Sequence, residues 1–429
     1  MHAPARMRRR NACWRPPFQR IAVAIMLALM VSASVLTNAS AQSLQLGAIA
    51  GEPLALTNIT GRNSHDLSGQ WRYIVDPMAM GFRSGRMRNF ARDLEPRGQE
   101  LLEYDWSSAP RMQVPGDWNS QVEALRWYDG LIWFYRRFDA DPVADTRQFL
   151  HFVAVNYKAD IYLNGQRVGG HEGGFTPFSI EVTGKLQSKA NWLVVAADSR
   201  HSALSVPSQQ VDWWNYGGMT RPVYLVQTPA TFIRHYGIAL SENGSIIGEI
   251  RLDGEKAAGL DVSIEITEAN LVLQGKTDGN GRARLVGKPK QLDRWHPETP
   301  KLYQVELRAG DDRLLDDIGF RTIKVVGNKI LLNDAPIFMR GIALHEEALG
   351  VNGGRTMSVA QATAILGEAK ALNANFVRLA HYPHSEIMTK AADRLGLLVW
   401  SEIPVYWDLA FEQQETLTLA RRMLAEMIE

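Results

Sequence analysis

Alternation of apolar and polar positions along the chain predicts a long strand-rich part followed by a shorter part with helices. From residue 67 to about residue 324, apolar residues recur in short runs between turn residues, which is typical of antiparallel strands. Residues 260–266 alternate cleanly, as expected for a strand with one buried and one wet face. Residues 199–218 lack such a pattern and are predicted to form a long loop.

Turn signals divide the strand-rich part further. Asn–Gly pairs at 164–165, 243–244 and 280–281 predict β-hairpins, because a type I′ turn needs two residues with positive φ. The spacing of the runs predicts an antiparallel sandwich ending near Val226 and a smaller immunoglobulin-like sandwich from about Pro229.

Near Asn328 the period of the apolar positions changes. Strands are predicted at 337–342, 375–379 and 397–400, and helices at 358–372, 385–395 and 412–429, with Ser358 as an N-cap and Gly396 as a terminator. Strand–helix alternation of this kind predicts βαβ units with a parallel sheet. Three units do not close a (β/α)₈ barrel, so we expect this sequence to be the front of a longer protein or the product of a truncated gene.

The first 41 residues have the features of a secretory signal peptide. An apolar run at 21–36 precedes the small residues Ala39, Ser40 and Ala41, and no acidic residue is present. The run is shorter than the roughly 20 residues that span a bilayer, which favours cleavage over a membrane anchor. Six basic residues precede the run: Arg6, Arg8, Arg9, Arg10, Arg15 and Arg20. We therefore expect a secreted or periplasmic protein without a membrane segment after cleavage.

Composition excludes several function classes. The chain is 45% hydrophobic and 22% charged, unlike a disordered protein, and its 47 basic residues against 46 acidic ones argue against nucleic acid as a partner. The single cysteine, Cys13, would leave with the signal peptide, so no disulfide or thiol chemistry is expected. No zinc, calcium or phosphate-binding motif is present, and neither a cofactor nor a metal is predicted.

Several motifs resemble those of glycoside hydrolase family 2, the group of β-galactosidases, β-glucuronidases and β-mannosidases. The most specific is Asn-Phe-Val-Arg-Leu-Ala-His-Tyr-Pro at 375–383, which departs from the family pattern at Leu379. The resemblance implies a jelly-roll-like sandwich over 42–228, an immunoglobulin-like sandwich over 229–325 and a partial TIM-barrel catalytic domain over 326–429. Other matching stretches are 114–118, 173–178, 212–221, 295–303 and 319–321.

The same resemblance implies two catalytic glutamates, an acid/base in an Asn–Glu pair on the fourth barrel strand and a nucleophile on the seventh. No Asn–Glu pair follows residue 328, so we expect both to lie beyond Glu429 and none within the chain. What remains would be part of a sugar-binding wall. The residues predicted to bind substrate are His345, Glu346, Glu347, Arg378, His381, Asp212 and Glu402.

Structural roles compete with these predictions. His381 could make a structural hydrogen bond, Arg378 could be paired permanently with a pocket glutamate, and the acids at 346–347 could merely solvate a loop. The aromatic residues Trp213, Trp214 and Tyr216 are expected at a domain interface more than against a sugar.

The function that the resemblance implies is that of a retaining exo-glycosidase acting on β-galactosides or β-glucuronides, with this chain alone inactive. A carbohydrate substrate is the expected partner, and a homo-oligomer is left open. The rivals are a non-catalytic carbohydrate-binding protein and a scaffold in which another chain completes the barrel.

Overall fold

The structure, a computed structural model, describes residues 55–82, 90–92, 104–348 and 353–428. The predicted signal peptide lies outside the described residues. The first part of the described chain comprises strands β1 Asn63–Asp66, β2 Gly69–Val75 and β3 Arg111–Val114, the short helix α1 Trp118–Gln121, and strands β4 Leu131–Phe138, β5 Thr146–Phe152, β6 Lys158–Leu163, β7 Gln166–Glu172, β8 Phe178–Glu181, β9 Asn191–Asp198 and β10 Val223–Pro229.

Two antiparallel sheets form the first sandwich, which we define as residues 63–229. One has the strand order β3-β2-β4-β9-β6-β7 and the other β1-β10-β5-β8. They face each other across a core that includes the fully buried Trp71, Phe134 and Phe152, and each such side chain contributes roughly 1.5–3 kcal/mol through burial. The hairpin predicted at 164–165 is confirmed, with φ of 51° at Asn164 and 80° at Gly165 between the paired strands β6 and β7.

The second sandwich, residues 232–318, also has two antiparallel sheets. Its strands are β11 Phe232–Leu240, β12 Ile246–Asp253, β13 Asp261–Ile266, β14 Leu271–Lys276, β15 Arg282–Gly287, β16 Tyr303–Ala309 and β17 Asp312–Ile318. The sheet orders are β11-β12-β15 and β14-β13-β16-β17, with one core between them. The predicted alternation along β13 is confirmed by its regularly spaced buried residues.

One of the two hairpins predicted here is wrong. Residues 243–244 do connect the paired strands β11 and β12. Residues 280–281, however, connect β14 and β15, which belong to different sheets. The side chain of Asp278 accepts hydrogen bonds from the backbone amides of Asn280 and Arg282, so the chain turns from one sheet to the other here. A local turn signal does not specify which strands pair.

A small antiparallel sheet leads into the last part. It contains β18 Ile323–Val326, β19 Lys329–Leu332 and β20 Ala335–Pro336. The βα segment that follows comprises β21 Gly341–Leu344, α2 Val359–Ala371, β22 Phe376–Leu379, α3 Glu386–Leu395, β23 Leu398–Ser401 and α4 Gln414–Ile428. The predicted parallel sheet is confirmed, in the order β21-β22-β23.

Helix boundaries in the βα segment agree with their predicted signals. Ser358 caps α2 in a reciprocal capping box with Gln361, and Gly396 ends α3 with φ of 74°. The first strand, in contrast, begins four residues later than predicted. The side chain of Asn375 binds the amide of Arg340 and the carbonyl of Phe338, so these residues bond to a side chain before the parallel pairing starts at Gly341.

The two faces of the parallel sheet differ. Val377 and Leu379 point into a core formed with α2 and α3, whereas Arg378, between them on the central strand, is partly exposed on the opposite face. Helix α4 packs instead on the first sandwich, where its Met423 joins a buried cluster with Phe175. No helix among the described residues is long and apolar enough to cross a membrane.

Candidate active site

Four of the predicted binding residues lie at or just beyond the carboxyl ends of the parallel strands. Arg378 is the third residue of β22, His381 lies two residues after that strand, Glu402 directly follows β23, and His345 directly follows β21. Because parallel strands end at the same edge of a sheet, these side chains come together.

The carboxylate of Glu402 connects the neighbouring strands. Arg378 Nη2 lies 2.8 Å from Glu402 Oε1 and 3.0 Å from Oε2, and its Nε lies 3.2 Å from Oε2. His381 Nδ1 is 3.2 Å from Glu402 Oε1. Both carboxylate oxygens are therefore engaged, and Glu402 fixes the orientation of a guanidinium and an imidazole. We call Arg378, His381 and Glu402 the open cluster, since all three side chains retain solvent contact.

The first sandwich contributes an aromatic side to this cluster. The indole of Trp213 lies 5.9 Å from the His381 ring and 6.4 Å from the His345 ring, between centroids. Its neighbour Asp212 accepts a 2.5 Å hydrogen bond at Oδ2 from the hydroxyl of Tyr406. Tyr406 stands 4.8 Å from His381, so Asp212 is linked to the open cluster through this tyrosine.

Tyr406 was not predicted from the sequence. It lies in the irregular stretch after β23, where no periodicity or motif marks it. The hydrogen bond to Asp212 raises the pKa of the Tyr406 hydroxyl, so the phenol remains a donor to that carboxylate at neutral pH.

His345 also lies next to the open cluster. Its Nδ1 is 3.2 Å from the hydroxyl of Tyr382, and its ring centroid is 5.4 Å from that of His381. Burial lowers the pKa of His345, with the carboxylate of Glu347 opposing this effect, so the imidazole is neutral at pH 7. A neutral imidazole has one donor and one acceptor nitrogen, which suits a sugar hydroxyl.

Glu346 does not join this arrangement, against the prediction that it contacts substrate. It is 1% exposed, and its Oε2 accepts hydrogen bonds from Arg221 Nη2 at 2.6 Å and from the amide of Ser385 at 2.8 Å. Arg221 also donates to the carbonyls of Phe175 and Pro383. We call Arg221 and Glu346 the closed pair. These two buried residues join the first sandwich to the βα segment and do not contact the open cluster.

Glu347 lies between these two arrangements. Its carboxylate is 3.8 Å from the guanidinium of Arg355 and also influences His345. Arg355 is buried, and its guanidinium carbon lies 4.2 Å from the ring centroid of Tyr382 and 5.2 Å from that of Tyr216. Tyr216 is therefore interface packing, as predicted. Trp213 likewise packs against the interface cluster that contains Phe175 and Tyr382, and its ring also stands beside His381.

The arrangement places hydrogen-bond donors of Arg378, His381 and His345 beside the indole of Trp213. Donors of this kind can bind hydroxyl or carboxylate oxygens, and an indole face can pack against an apolar ring face. In the described ranges, no group of three or more His, Cys, Asp or Glu side chains is placed to hold a metal ion.

Two family models match this chain in the order of its parts. The galactose-binding domain-like model of glycosyl hydrolase family 2 matches residues 115–244, and the TIM-barrel domain model of the same family matches residues 323–418. Together they match more than half of the sequence. The chain therefore belongs to glycosyl hydrolase family 2, a family of glycosidases.

Individual relatives agree with this assignment. A putative β-glucuronidase of Formosa agariphila is 30% identical over 76% of this chain and 41% of its own length, and a β-galactosidase of Thermoanaerobacter pseudethanolicus is 28% identical over 70% and 43%. The solved structure of Faecalibacterium prausnitzii β-glucuronidase superposes with a TM-score of 0.69 at 26% identity, over 81% of this chain and 60% of that one. The chain thus spans about half the length of its curated relatives.

Proposed function

We propose that the whole protein is an exo-acting glycosidase that hydrolyses β-glucuronides or β-galactosides with retention, and that residues 42–429 supply one wall of its sugar site. The observation that carries this proposal is the open cluster beside Trp213, whose indole comes from the first sandwich and lies 5.9 Å from the His381 ring. Arg378 and His381 both bind the carboxylate of Glu402, which follows the adjacent strand. A loop of the first sandwich adds Asp212 and the indole of Trp213. This supports sugar binding by both parts together.

The carboxylates of this candidate site, Glu402 and Asp212, are better suited to binding than to catalysis. Retaining hydrolysis needs a nucleophile and an acid/base about 5–5.5 Å apart on either side of the scissile bond. Glu402 is engaged at both oxygens by the guanidinium of Arg378 and at one of them by the imidazole of His381, which weakens it as a nucleophile, and Asp212 is engaged by Tyr406. We therefore assign both to sugar orientation and propose that the catalytic glutamates belong to other residues of the whole protein.

A binding measurement and an activity measurement test these two statements separately. Saturation-transfer NMR of residues 42–429 with methyl β-D-glucuronide and methyl β-D-galactoside should show transfer to one of them, and H381A should abolish it. The same chain should release no p-nitrophenol from the aryl glycosides, whereas the product of the gene read to its natural stop codon should. Release by the short chain would contradict the binding role, and absence of binding would contradict the site.

Domain limits and location complete the proposal. We propose a jelly-roll-like domain at 42–228, an immunoglobulin-like domain at 229–325 and part of a TIM barrel at 326–429, supported by the separate cores of the two sandwiches and the parallel sheet. We also propose export with cleavage before Gln42. Mass spectrometry of the protein from the periplasm or medium should find Gln42 at its N-terminus, and an intact Met1 there would contradict cleavage.

A further inference from the structure

Two exposed tryptophans lie beside the candidate active site without being part of it. Trp127 is 79% exposed and Trp214 is 38% exposed, and their ring centroids are 4.8 Å apart with the planes inclined at 49°. Leaving an indole in water forgoes the free energy of burial, so a paired and exposed set is unusual on a surface. We call this feature the Trp127–Trp214 platform.

The loop that carries Trp127 is held in place by buried side chains. Asn119 Nδ2 donates to the carbonyls of Leu125, Arg126 and Tyr128 at 3.1–3.2 Å. Trp118 Nε1 donates to the carbonyl of Tyr128 at 3.0 Å. The backbone on both sides of Trp127 is therefore fixed, which presents its indole in a preorganised position.

The same groups connect this loop to the loop that carries Trp214. Asn119 Oδ1 accepts a hydrogen bond from the amide of Gly217 at 2.9 Å. Asp129 Oδ1 accepts from Ser199 Oγ at 2.5 Å and from Asn215 Nδ2 at 3.3 Å. Two separate loops of the first sandwich are thus bonded into one unit, and the distance between the two indoles is set by buried or partly buried contacts.

The position of the platform indicates its occupant. Trp214 follows Trp213, whose ring faces the open cluster, and the carbonyl of Trp214 accepts a 3.4 Å hydrogen bond from Arg355 near Glu347. Trp214 of the platform and the indole beside the open cluster are therefore carried by one loop. This common loop makes the platform a candidate surface for further units of a glycan whose terminal unit binds at the open cluster.

The chemistry of the platform also suits a glycan. Indole faces bind the C–H faces of sugar rings, and the 49° inclination fits successive rings of a chain that twists. Exposed polar groups that can bind hydroxyls flank the rings, namely Asp129 and the ion pair of Arg126 with Glu123 at 2.7 Å.

We propose that the Trp127–Trp214 platform binds sugar units on the leaving-group side of an oligosaccharide or polysaccharide substrate. This inference rests on the proposed function, because the open cluster is taken to hold the terminal sugar. The proposal predicts that binding strengthens as the glycan is lengthened beyond the unit that binds at the open cluster.

The test uses residues 42–429 on an array of neutral and acidic β-linked glycans, followed by calorimetry with the strongest ligand and with its methyl monosaccharide. We expect W127A and W214A each to weaken the longer ligand about tenfold while binding of the monosaccharide is unchanged. W127Y should retain most of the affinity. F338A is the matched control, because Phe338 has the same 79% exposure on a distant part of the chain and should change neither.

The outcomes distinguish binding at the platform from binding at the open cluster. Binding of the longer ligand that persists in H381A but is lost in W127A supports the platform even if the open cluster does not function as proposed. Monosaccharide binding without any gain for longer glycans, or equal binding by wild type and W127A, overturns the platform. A Trp127-dependent dimer in sedimentation velocity without Trp127-dependent glycan binding also overturns it and assigns the surface to a second copy.

Discussion

Two arginine–glutamate pairs lie at the same edge of the parallel sheet and differ in almost every physical respect. In the closed pair, Arg221 and Glu346 are buried, and Arg221 is also bound by two carbonyls. In the open cluster, Arg378 and Glu402 keep solvent contact, and Glu402 shares its charge with His381. The first pair comes from two parts of the molecule, whereas the second comes from adjacent strands.

The difference shows how a charged pair becomes either a support or a site. A buried pair is cut off from water, so each uncompensated charge in it carries a large desolvation cost. A pair with an open face gains less stability but can exchange water for a ligand. The closed pair therefore fixes the first sandwich against the βα segment, and the open cluster keeps a solvent-accessible face.

The largest expected effect comes from breaking the closed pair. E346A leaves the buried guanidinium of Arg221 without a counter-charge, which should lower the free energy of unfolding by about 3–5 kcal/mol. Thermal unfolding of residues 42–429, followed by tryptophan fluorescence, measures this change.

Two further variants sharpen that measurement. The double variant R221M/E346L removes both charges and should regain most of the lost stability, since apolar replacements of a buried pair are often neutral. E402A truncates the equivalent residue of the open cluster and should cost less than about 1 kcal/mol. Equal losses in E346A and E402A would contradict the distinction between the two pairs.

The pH dependence of stability should come from buried histidines, among them His384. Burial lowers the pKa of His384 to about 4, and its Nε2 donates to the carbonyl of Ala380 at 2.9 Å. Because the unfolded state, with a pKa of about 6.5, takes up the proton first, stability is full above pH 6.5 and is lost as the pH falls towards 4.

The expected loss is on the order of 3 kcal/mol for this histidine. His151 and His201 add to it, since burial lowers their pKa values to about 3 and about 4. H384Q keeps a donor for the carbonyl of Ala380 and should flatten the pH dependence in urea unfolding experiments between pH 4 and 6.5. An unchanged slope in H384Q would show that His384 is not the titrating group.

The same comparison shows what the sequence could predict. Signals that act within a few residues, such as the turn at 164–165, the cap at Ser358 and the stop at Gly396, agree with the structure. The turn at 280–281 was misassigned because packing between sheets decides which strands it joins.

The candidate site follows the same division. Positions after parallel strands placed His345, Arg378, His381 and Glu402 near one another in advance, because strand ends share an edge. The role of Glu346 depends on Arg221, which lies 125 residues away in the chain, in the loop before β10 of the first sandwich. No local pattern distinguishes Glu346 from its neighbour Glu347, so its burial could not be predicted.

A smaller effect, confined to binding, is expected at the open cluster. E402Q removes the charge that orients Arg378 and His381, and should weaken binding of the preferred methyl β-glycoside about tenfold. Its unfolding midpoint should stay near that of wild type, in contrast to E346A. E386Q, which alters an exposed helix-terminal pair with Lys390, is the control and should leave binding unchanged. A stability loss in E402Q comparable to that of E346A would instead make Glu402 a structural residue.

The smallest effect is expected at the link between the sandwich loop and the open cluster. Y406F keeps the ring that stands 4.8 Å from His381 and removes only the hydroxyl that binds Asp212, so Asp212 should lose its orientation while the aromatic wall stays intact. Because the site is exposed, we expect a loss of about threefold in glycoside affinity, measured by calorimetry. D212N should show a loss of similar size, and the double variant Y406F/D212N should lose little more than either alone, since both substitutions break one interaction. Additive losses would mean that Tyr406 and Asp212 contact the sugar independently, and the open cluster would then extend to two unconnected contacts from different parts of the molecule.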